Sequence, residues 1–405
     1  MKAKPLPLIA IYQPHFLSIS MTFIYWQLLG ARDDFLPIVL AAKLNNQNLF
    51  PYPYVYSKKI GLLERAWSKA YSQLTGRMAN MSSIRRRYWK KILLENKAAL
   101  VHAHFGSSGL DILPVVRGLG LPFLVTFHGA DASSYLENSM YVAKLRELFD
   151  YAHIVTVSKY MADQLIDIGA DPERTVVHYI GAPMEDFKFV SRKPLKSKAQ
   201  DGDVIQFLQV ANFVEKKGHA YTLKAFRAFS NHYPRCKLIL AGQGSLRDNI
   251  AGLCVELGIK DQVELVGPVS KPQVVQLMSD SDIFLHHSIT AVDGDKEGIP
   301  TVLMEAMATG LVVVSTYHSG IPELITDGDN GFLVQERDVP AYTDRLVSTL
   351  TDADGVPERA FSTVDADFNQ AKQNAALMQI YRGILAGHTT PHKHLLSGKR
   401  ASATK

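Results

Sequence analysis

GDKEGIPTVLMEAMATGLVVVSTYHSGIPELITDGDNGFLV, residues 294–334, is the stretch from which the rest of this chain can be read. Gly298 and Pro300 form a turn, and TVLMEAMAT (301–309) has the spacing of a short helix. LVVVST (311–316) is a short apolar run with the look of a buried parallel strand. A helix entered from such a turn begins with unsatisfied N–H groups at the positive end of its dipole, which is a site for a phosphate. Glu297 is then beside the phosphates, where a sugar would sit. Glu305, eight residues later, is on the helix and placed to accept hydrogen bonds from ribose hydroxyls. A carboxylate pair near a sugar is the usual equipment of glycosyl chemistry. For Glu305 alone, a solvated helix face is the plain alternative.

Working backwards, a strand, helix, strand series leads into that stretch. VIQFLQVAN (204–212), CKLILAG (236–242), VELVG (263–267) and DIFLHHS (282–288) read as strands, and 219–233 and 245–258 as helices. Two turns in the series carry chemistry. In ANFVEKKGH (211–219), Lys217 can meet a diphosphate as a mobile charge, Lys216 can serve the surface, and Gly218 allows close backbone approach. In AGQGS (241–245), Gly242 and Gly244 have the form of a nucleotide-binding turn, or of structural turn chemistry only. The full dinucleotide fingerprint is missing, so a nicotinamide cofactor is not supported.

The first half has the same rhythm. Runs at 5–13, 35–43, 99–106, 122–131, 153–158 and 175–181 read as strands, with helices at 107–119 and 159–168. This predicts an open parallel α/β sheet with polar residues gathered beyond the strand ends, where such sheets bind ligands. His104 and His128 each follow an apolar strand, and Asp131 follows three residues after His128. Asp131 is placed to orient a hydroxyl or to hold the loop. Structural histidines are the alternative, and zinc ligation has no support from spacing. The aspartate-glycine turns at Asp293, Asp295, Asp327 and Asp329 do not match a calcium loop.

At 405 residues the chain exceeds the usual span of one core, so two domains are expected. Boundaries are placed at 1–185 for an amino-terminal acceptor domain, 186–203 for an exposed polar linker, and 204–366 for a nucleotide-sugar domain. A helix at 367–386 returns to the first domain, and a polar tail occupies 387–405, with His388, His392 and His394. Hydrophobic residues are 47% and charged residues 20%, which excludes a mostly disordered chain. No apolar run is long enough to span a bilayer, and the opening residues do not read as a signal peptide. Only Cys236 and Cys254 are present, which fits a reducing compartment. The sequon at Asn80 carries no weight.

Net charge is +5, but residues 58–97 hold eleven basic residues and two acids, a local +9 against −4 elsewhere. Trp67, Trp89 and several leucines are interleaved with those cations. Such a segment either lies on an anionic membrane surface or is a solvated helical face. No motif supports nucleic acid.

EGIPTVLMEAMATGLVVVSTYHSGIPELI, together with VEKKGH, AGQGS, SDIFLHHS, HAHFG (102–106) and TFHGAD (126–131), resembles the retaining GT-B glycosyltransferases of family 4. The bacterial exopolysaccharide enzymes of the colanic acid and amylovoran type are the nearest subgroup. The likeness covers about 5–385 and is most specific in the carboxyl-terminal part. It implies an α/β GT-B fold, two Rossmann-like domains facing across a cleft, with a carboxyl-terminal helix packing back across the join. It also implies transfer of a sugar from a nucleoside-diphosphate sugar to a saccharide acceptor, lipid-linked, without a metal or other cofactor.

By resemblance, Lys217 binds the donor diphosphate and Glu305 the ribose, while Glu297 contacts the sugar. Gly298, Ile299, Pro300, Thr301 and Val302 hold the distal phosphate through backbone amides. His128 sits over the reacting bond, with His104 and Asp131 on the acceptor side. Gly242 and Gly244 belong to the donor set. So does Asn212, which departs from the arginine many members carry there. Ser20-Met21-Thr22-Phe23-Ile24 has methionine in place of a common glutamate, and His287 replaces a proline before Ser288. A location on the cytoplasmic face of the inner membrane, peripheral through 58–97, follows from a lipid-linked acceptor. A nucleotide-sugar epimerase of the same fold and a non-catalytic binding partner are the rival readings.

Overall fold

The computed structural model describes residues 5–18, 21–75 and 81–387. The polar tail with its histidines, Asn80 and Ser20 lie outside them. The chain forms two compact units. One runs up to Tyr179 and resumes at Ala371, and the other is Ile180–Gln370.

The first unit is built on a seven-stranded, wholly parallel sheet. Its spatial order is Val55–Ser57, Leu36–Ala41, Leu8–Tyr12, Ala98–His104, Phe123–Phe127, His153–Thr156 and Thr175–Val177. The first strand in sequence is central, and order runs outwards from it in both directions. That reversal makes a switch point between Leu8–Tyr12 and Ala98–His104, the position where such sheets bind ligands. The strands are short apolar runs because both faces are covered. Leu8–Tyr12 and Phe123–Phe127 are buried at every position. Three of the covering helices start on side-chain caps: Ser82, Asn138 and Ser158 each accept an N–H from the first turn that follows.

Helix Gln370–Leu385 supplies Leu377, Met378, Ile380, Tyr381 and Ile384 to this core, among Ile9, Phe35 and Leu100. The Tyr381 ring meets Phe35 edge to face, and its buried hydroxyl is satisfied by His102 Nδ1 at 2.7 Å. Each such apolar side chain contributes about 1.5–3 kcal/mol of burial. The terminal helix is therefore part of the first unit's core. The preceding helix, Val356–Asp367, belongs to the second unit.

The second unit has a six-stranded parallel sheet in the order Val263–Gly267, Cys236–Ala241, Ile205–Val210, Ile283–Leu285, Val312–Thr316 and Phe332–Val334. Numbered within the unit this is 3-2-1-4-5-6, the doubly wound dinucleotide order. Both cysteines are buried and free within it.

The segment 186–203, expected as a linker, is docked at several points. Phe187 and Leu195 are buried, and Leu195–Asp201 is helical. The Arg192 guanidinium donates to the carbonyls of Met278, Ser281 and Thr309, and Lys198 pairs with Asp282 at 2.7 Å. Ser191, Lys193, Pro194, Lys196, Gln200 and Asp201 are exposed as expected, while Arg192 and Lys198 are polar side chains that close off strand and helix ends.

The basic stretch 58–97 folds as two helices, Leu62–Thr75 and Ser83–Glu95. They differ in what they expose. In the second, Trp89, Ile92 and Leu93 are core residues and Arg85 is buried at 4% exposure. In the first, Leu62 and Leu63 are more than 80% exposed and Trp67 is 57% exposed. An apolar surface beside cations therefore exists on Leu62–Thr75, whereas Arg85 and Trp89 face inward.

Candidate active site

In the second unit the switch point lies between Ile205–Val210 and Ile283–Leu285. Three segments leave the strand ends nearby, namely 211–218, 286–298 and the start of helix Thr301–Ala308. Gly218 closes the first. Its φ is +60°, and a Cβ there would stand 1.8 Å from the His287 carbonyl oxygen, so no larger residue fits. Gly242 and Gly244 serve the same kind of closeness, because Cβ atoms would strike the carbonyl oxygens of Ala211 and Phe213. Two strand-end turns are thereby stitched together, with Phe213 N–H donating to Gln243 O at 2.8 Å. The glycines of AGQGS shape the Asn212 turn through backbone packing. The Asn212 side chain makes no hydrogen bond among the described residues.

Lys217 Nζ lies 2.8 Å from Glu297 Oε1. Lys216 is also turned inward, at 2.8 Å from Asp295 and 3.9 Å from Glu297, so its expected surface role is corrected. Burial alone would raise the Glu297 pKa. Lys217 first and Lys216 next overcome it and hold the carboxyl down at about 2. Glu297 is thus an anion at every physiological pH, already neutralised by a lysine.

The loop bearing Glu297 is pinned through its backbone. His318 Nε2 accepts the Glu297 N–H at 3.0 Å, and Ser319 Oγ donates to the Glu297 carbonyl at 2.7 Å. Since Nε2 accepts, the ring proton is on Nδ1, which donates to Glu336 Oε1 at 2.6 Å. Burial lowers the His318 pKa, with Glu336 opposing, and the imidazole acts as a neutral strut.

Past Glu297, the N–H groups of Gly298, Ile299, Thr301 and Val302 have no acceptor among the described residues, while Leu303 N–H already bonds Pro300 O. Pro300 has no N–H at all, so the expected row of five amides is a set of four donors. Glu305 stands on the same helix, half-buried, with no hydrogen-bond partner for its carboxyl among the described residues. Burial pushes its pKa up to about 7, against a lowering by Lys271.

His286 was not singled out from the sequence. It is fully buried at the end of Ile283–Leu285, and neither ring nitrogen has a hydrogen-bond partner. Burial lowers its pKa, with Lys217 adding to the effect. His318 and Glu336 also went unread, although the quoted YHSG contained the former. A polar residue paired with a backbone N–H leaves no spacing signature.

The other sequence-expected residues are in the first unit. His104 Nδ1 and His128 Nε2 are 3.1 Å apart, with the rings nearly parallel. Burial depresses both pKa values, that of His104 to about 3, so both rings are neutral. Phe23 and Phe105 flank the His128 ring, and its Nδ1 has no partner. Asp131 accepts the backbone N–H groups of Gly106, His128 and Gly129 at 2.9–3.0 Å. Of its two expected tasks it performs the loop-holding one.

Two doubly wound parallel units in succession, with an anion-ready turn in the second, make the GT-B fold of sugar-transferring enzymes. Comparison with known proteins is more particular. Residues 191–361 match the family "Glycosyl transferases group 1", and residues 68–185 match "Glycosyltransferase Family 4". The chain is 35% identical over 292 residues, 70% of each chain, to the putative colanic acid biosynthesis glycosyltransferase WcaL of Salmonella typhimurium. It is 33% identical over 276 residues, 66% of each chain, to the amylovoran biosynthesis glycosyltransferase AmsK of Erwinia amylovora. Among solved structures, Anabaena HepE in complex with UDP superposes with a TM-score of 0.74 at 18% identity, over 93% of this chain and 100% of that one. This chain belongs to the group 1 and family 4 glycosyltransferases.

Proposed function

We propose that the protein is a retaining hexosyltransferase that moves a sugar from a nucleoside-diphosphate sugar to a saccharide hydroxyl in bacterial exopolysaccharide or lipopolysaccharide synthesis. The observation that carries this is the junction of the ion-paired Glu297 with the four unbonded N–H groups after it. Four donors and two lysines suit a diphosphate, and the anchored carboxylate suits the sugar beside it. The names of WcaL and AmsK support the pathway, and the UDP in HepE supports the donor class.

In this reading Lys217 and the amides neutralise the leaving diphosphate, so no metal takes part. Glu305 holds the ribose. Glu297, paired and with its pKa near 2, is a weak nucleophile, which favours attack from the leaving-group face over a double displacement. The acceptor oxygen bonds to the anomeric carbon as the carbon–phosphate-oxygen bond breaks, and the acceptor proton passes to that phosphate oxygen. In the same reading neutral His128, whose Nδ1 has no partner, accepts a hydrogen bond from a sugar hydroxyl. The acceptor is lipid-linked, and Leu62–Thr75 brings the protein to the cytoplasmic face of the inner membrane. No helix among the described residues is long and apolar enough to cross it.

The test is turnover of a panel of UDP-, GDP- and ADP-sugars with and without a lipid-linked saccharide fraction, in the presence of a chelator. Nucleoside diphosphate release that requires acceptor and survives chelation is expected. An altered nucleotide sugar formed without acceptor would identify an epimerase. Folded protein that binds no nucleotide sugar would identify a non-catalytic partner, with Asn212 the first residue to examine.

A further inference from the structure

The segment between Thr290 and Glu297 is closed on itself and fastened to its surroundings. Ala291 N–H donates to the Asp295 carbonyl at 3.0 Å, and Gly294 N–H donates to the Ala291 carbonyl at 2.9 Å. Asp293 Oδ1 accepts the Asp295 N–H at 3.1 Å. Glu336 accepts the Thr290 N–H at 2.8 Å. Glu215, from the turn that carries the two inward lysines, accepts the Val292 N–H at 3.2 Å. Asp295 is therefore held in place two residues before Glu297.

One ammonium joins the two carboxylates. Lys216 Nζ lies 2.8 Å from Asp295 Oδ2 and 3.9 Å from Glu297 Oε1, and Lys217 meets Glu297 on the same Oε1. Burial works against the Lys216 charge, but Glu297 first and Asp295 next outweigh it and hold its pKa above the ordinary value. Each acid is thus anchored by one oxygen and keeps the other. Asp295 Oδ1 is buried and has no partner among the described residues. His286 and His318, which interact with Glu297, are kept neutral by burial. Two inward lysines are therefore already matched by two carboxylates. With a diphosphate in place they face more negative charge than they carry. An ionised carboxylate only accepts hydrogen bonds, so the hydroxyls of a neutral sugar can donate to these acids. The carboxylate of an acidic sugar cannot donate, and it would bring a like charge up to two others.

We propose that Asp295 is a specificity-determining residue for the transferred sugar: its free oxygen takes a sugar hydroxyl, and with Glu297 it admits neutral hexoses and turns away acidic ones. Lys216 is a positioning residue, held between the two acids and thereby withheld from a sugar carboxylate. The proposal rests on the donor reading of this site and adds the chemical class of the sugar.

The test is calorimetric binding of matched pairs at one pH and one salt concentration. The pairs are UDP-glucose with UDP-glucuronate, UDP-galactose with UDP-galacturonate, and GDP-mannose with GDP-mannuronate, each measured beside UDP or GDP alone. Wild-type protein binds the neutral member of its preferred pair about tenfold or more tightly than the acidic member. Asp295→Asn keeps the shape, removes one negative charge and releases Lys216. The acidic member then binds about fivefold more tightly than it does to wild type, while the bare nucleoside diphosphate stays within about twofold. Loss of structure does not produce a gain in affinity for one ligand of a pair. Asp295→Ser, also uncharged, shifts the ratio in the same direction and takes the place of the first variant if that does not fold. A wild type that binds both members alike, or the acidic one better, overturns the proposal. So does an unchanged ratio in the folded variants. Wild-type protein that binds no nucleoside diphosphate overturns the donor reading itself, and the proposal with it.

Discussion

Glu305 gives a prediction in which binding and stability move in opposite directions. Its carboxyl, with no hydrogen-bond partner among the described residues and held up at about pKa 7, is strained in its position at neutral pH. The folded-state value is raised above the ordinary one, so the folded protein loses stability as pH rises from the ordinary carboxylate range through 7. A tenfold change in a protonation equilibrium corresponds to about 1.4 kcal/mol. Because the group is only half-buried, solvent screening reduces the penalty at pH 8 to about 1–2 kcal/mol. Glu305→Gln removes the charge and should raise stability by that amount at pH 8 and by little at pH 5. Donor binding runs the other way. A carboxylate accepts both ribose hydroxyls, and a carboxylic acid does so poorly. With a pKa near 7, about nine-tenths of the protein is ready at pH 8 and about one-tenth at pH 6, so affinity for a UDP-sugar falls about tenfold between them. A UDP-sugar is the right probe because its diphosphate diester does not titrate in that window. Calorimetric titrations across pH 6–8, with urea unfolding of the same samples, measure both effects. A flat affinity profile in the wild type, or an equal slope in Glu305→Gln, would refute the ribose role. A variant that loses stability at pH 8 would refute the account of the strained carboxyl.

Other expectations follow from single contacts. His318→Ala removes the acceptor for Glu297 N–H and should lower kcat/KM by about 10- to 100-fold through misplacement of the carboxylate. His318→Gln, which can still accept that N–H, should recover part of the loss. Gly218→Ala should cost more than about 4 kcal/mol in urea unfolding, because its Cβ meets a backbone carbonyl. Gly202→Ala, also at positive φ but in open space, should cost only about 1–2 kcal/mol. Replacing Leu62, Leu63 and Trp67 together with serine should abolish co-sedimentation with anionic vesicles and leave Tm within a few degrees. Binding that persists in that variant would place the membrane contact elsewhere.

The order of strands and helices could be read from sequence wherever burial on both faces produced a bare apolar run, as in 204–212 or 311–316. Short edge strands such as Val55–Ser57 escaped, because three residues carry no periodicity. The residues proposed for the donor site could be grouped from sequence because Glu297, Gly298, Thr301 and Glu305 lie on one turn and one helix, where chain neighbours remain spatial neighbours. In the first unit Arg85 pairs with Glu64 and Asp111, a cluster assembled from three helices, and nothing in local sequence announces it. Arg85 read as one of a run of surface cations with Arg86 and Arg87. The reason is physical: charge can be counted in sequence, but burial of a charge depends on which partners the fold supplies.

The two units place their chemistry at the same topological point and use opposite charge plans. In the second, cations surround one carboxylate, and the N–H groups beyond it are left without acceptors. In the proposed reading an incoming diphosphate shares Lys217 with Glu297, since taking the lysine away altogether would leave a buried carboxylate unpaired. Lys216, 3.9 Å from Glu297, keeps a second cation beside the carboxylate while Lys217 turns to the phosphate. In the first unit one cation is locked between two carboxylates, and Arg85 has no comparable freedom, because withdrawing it would leave buried charge unpaired. A site that exchanges partners suits a leaving group that must be bound and released in every cycle. A site whose charges cannot move suits an acceptor that must be held in one orientation, so that a single hydroxyl is presented for reaction. In the proposed reading the division between donor and acceptor thus follows from which ion pairs can open.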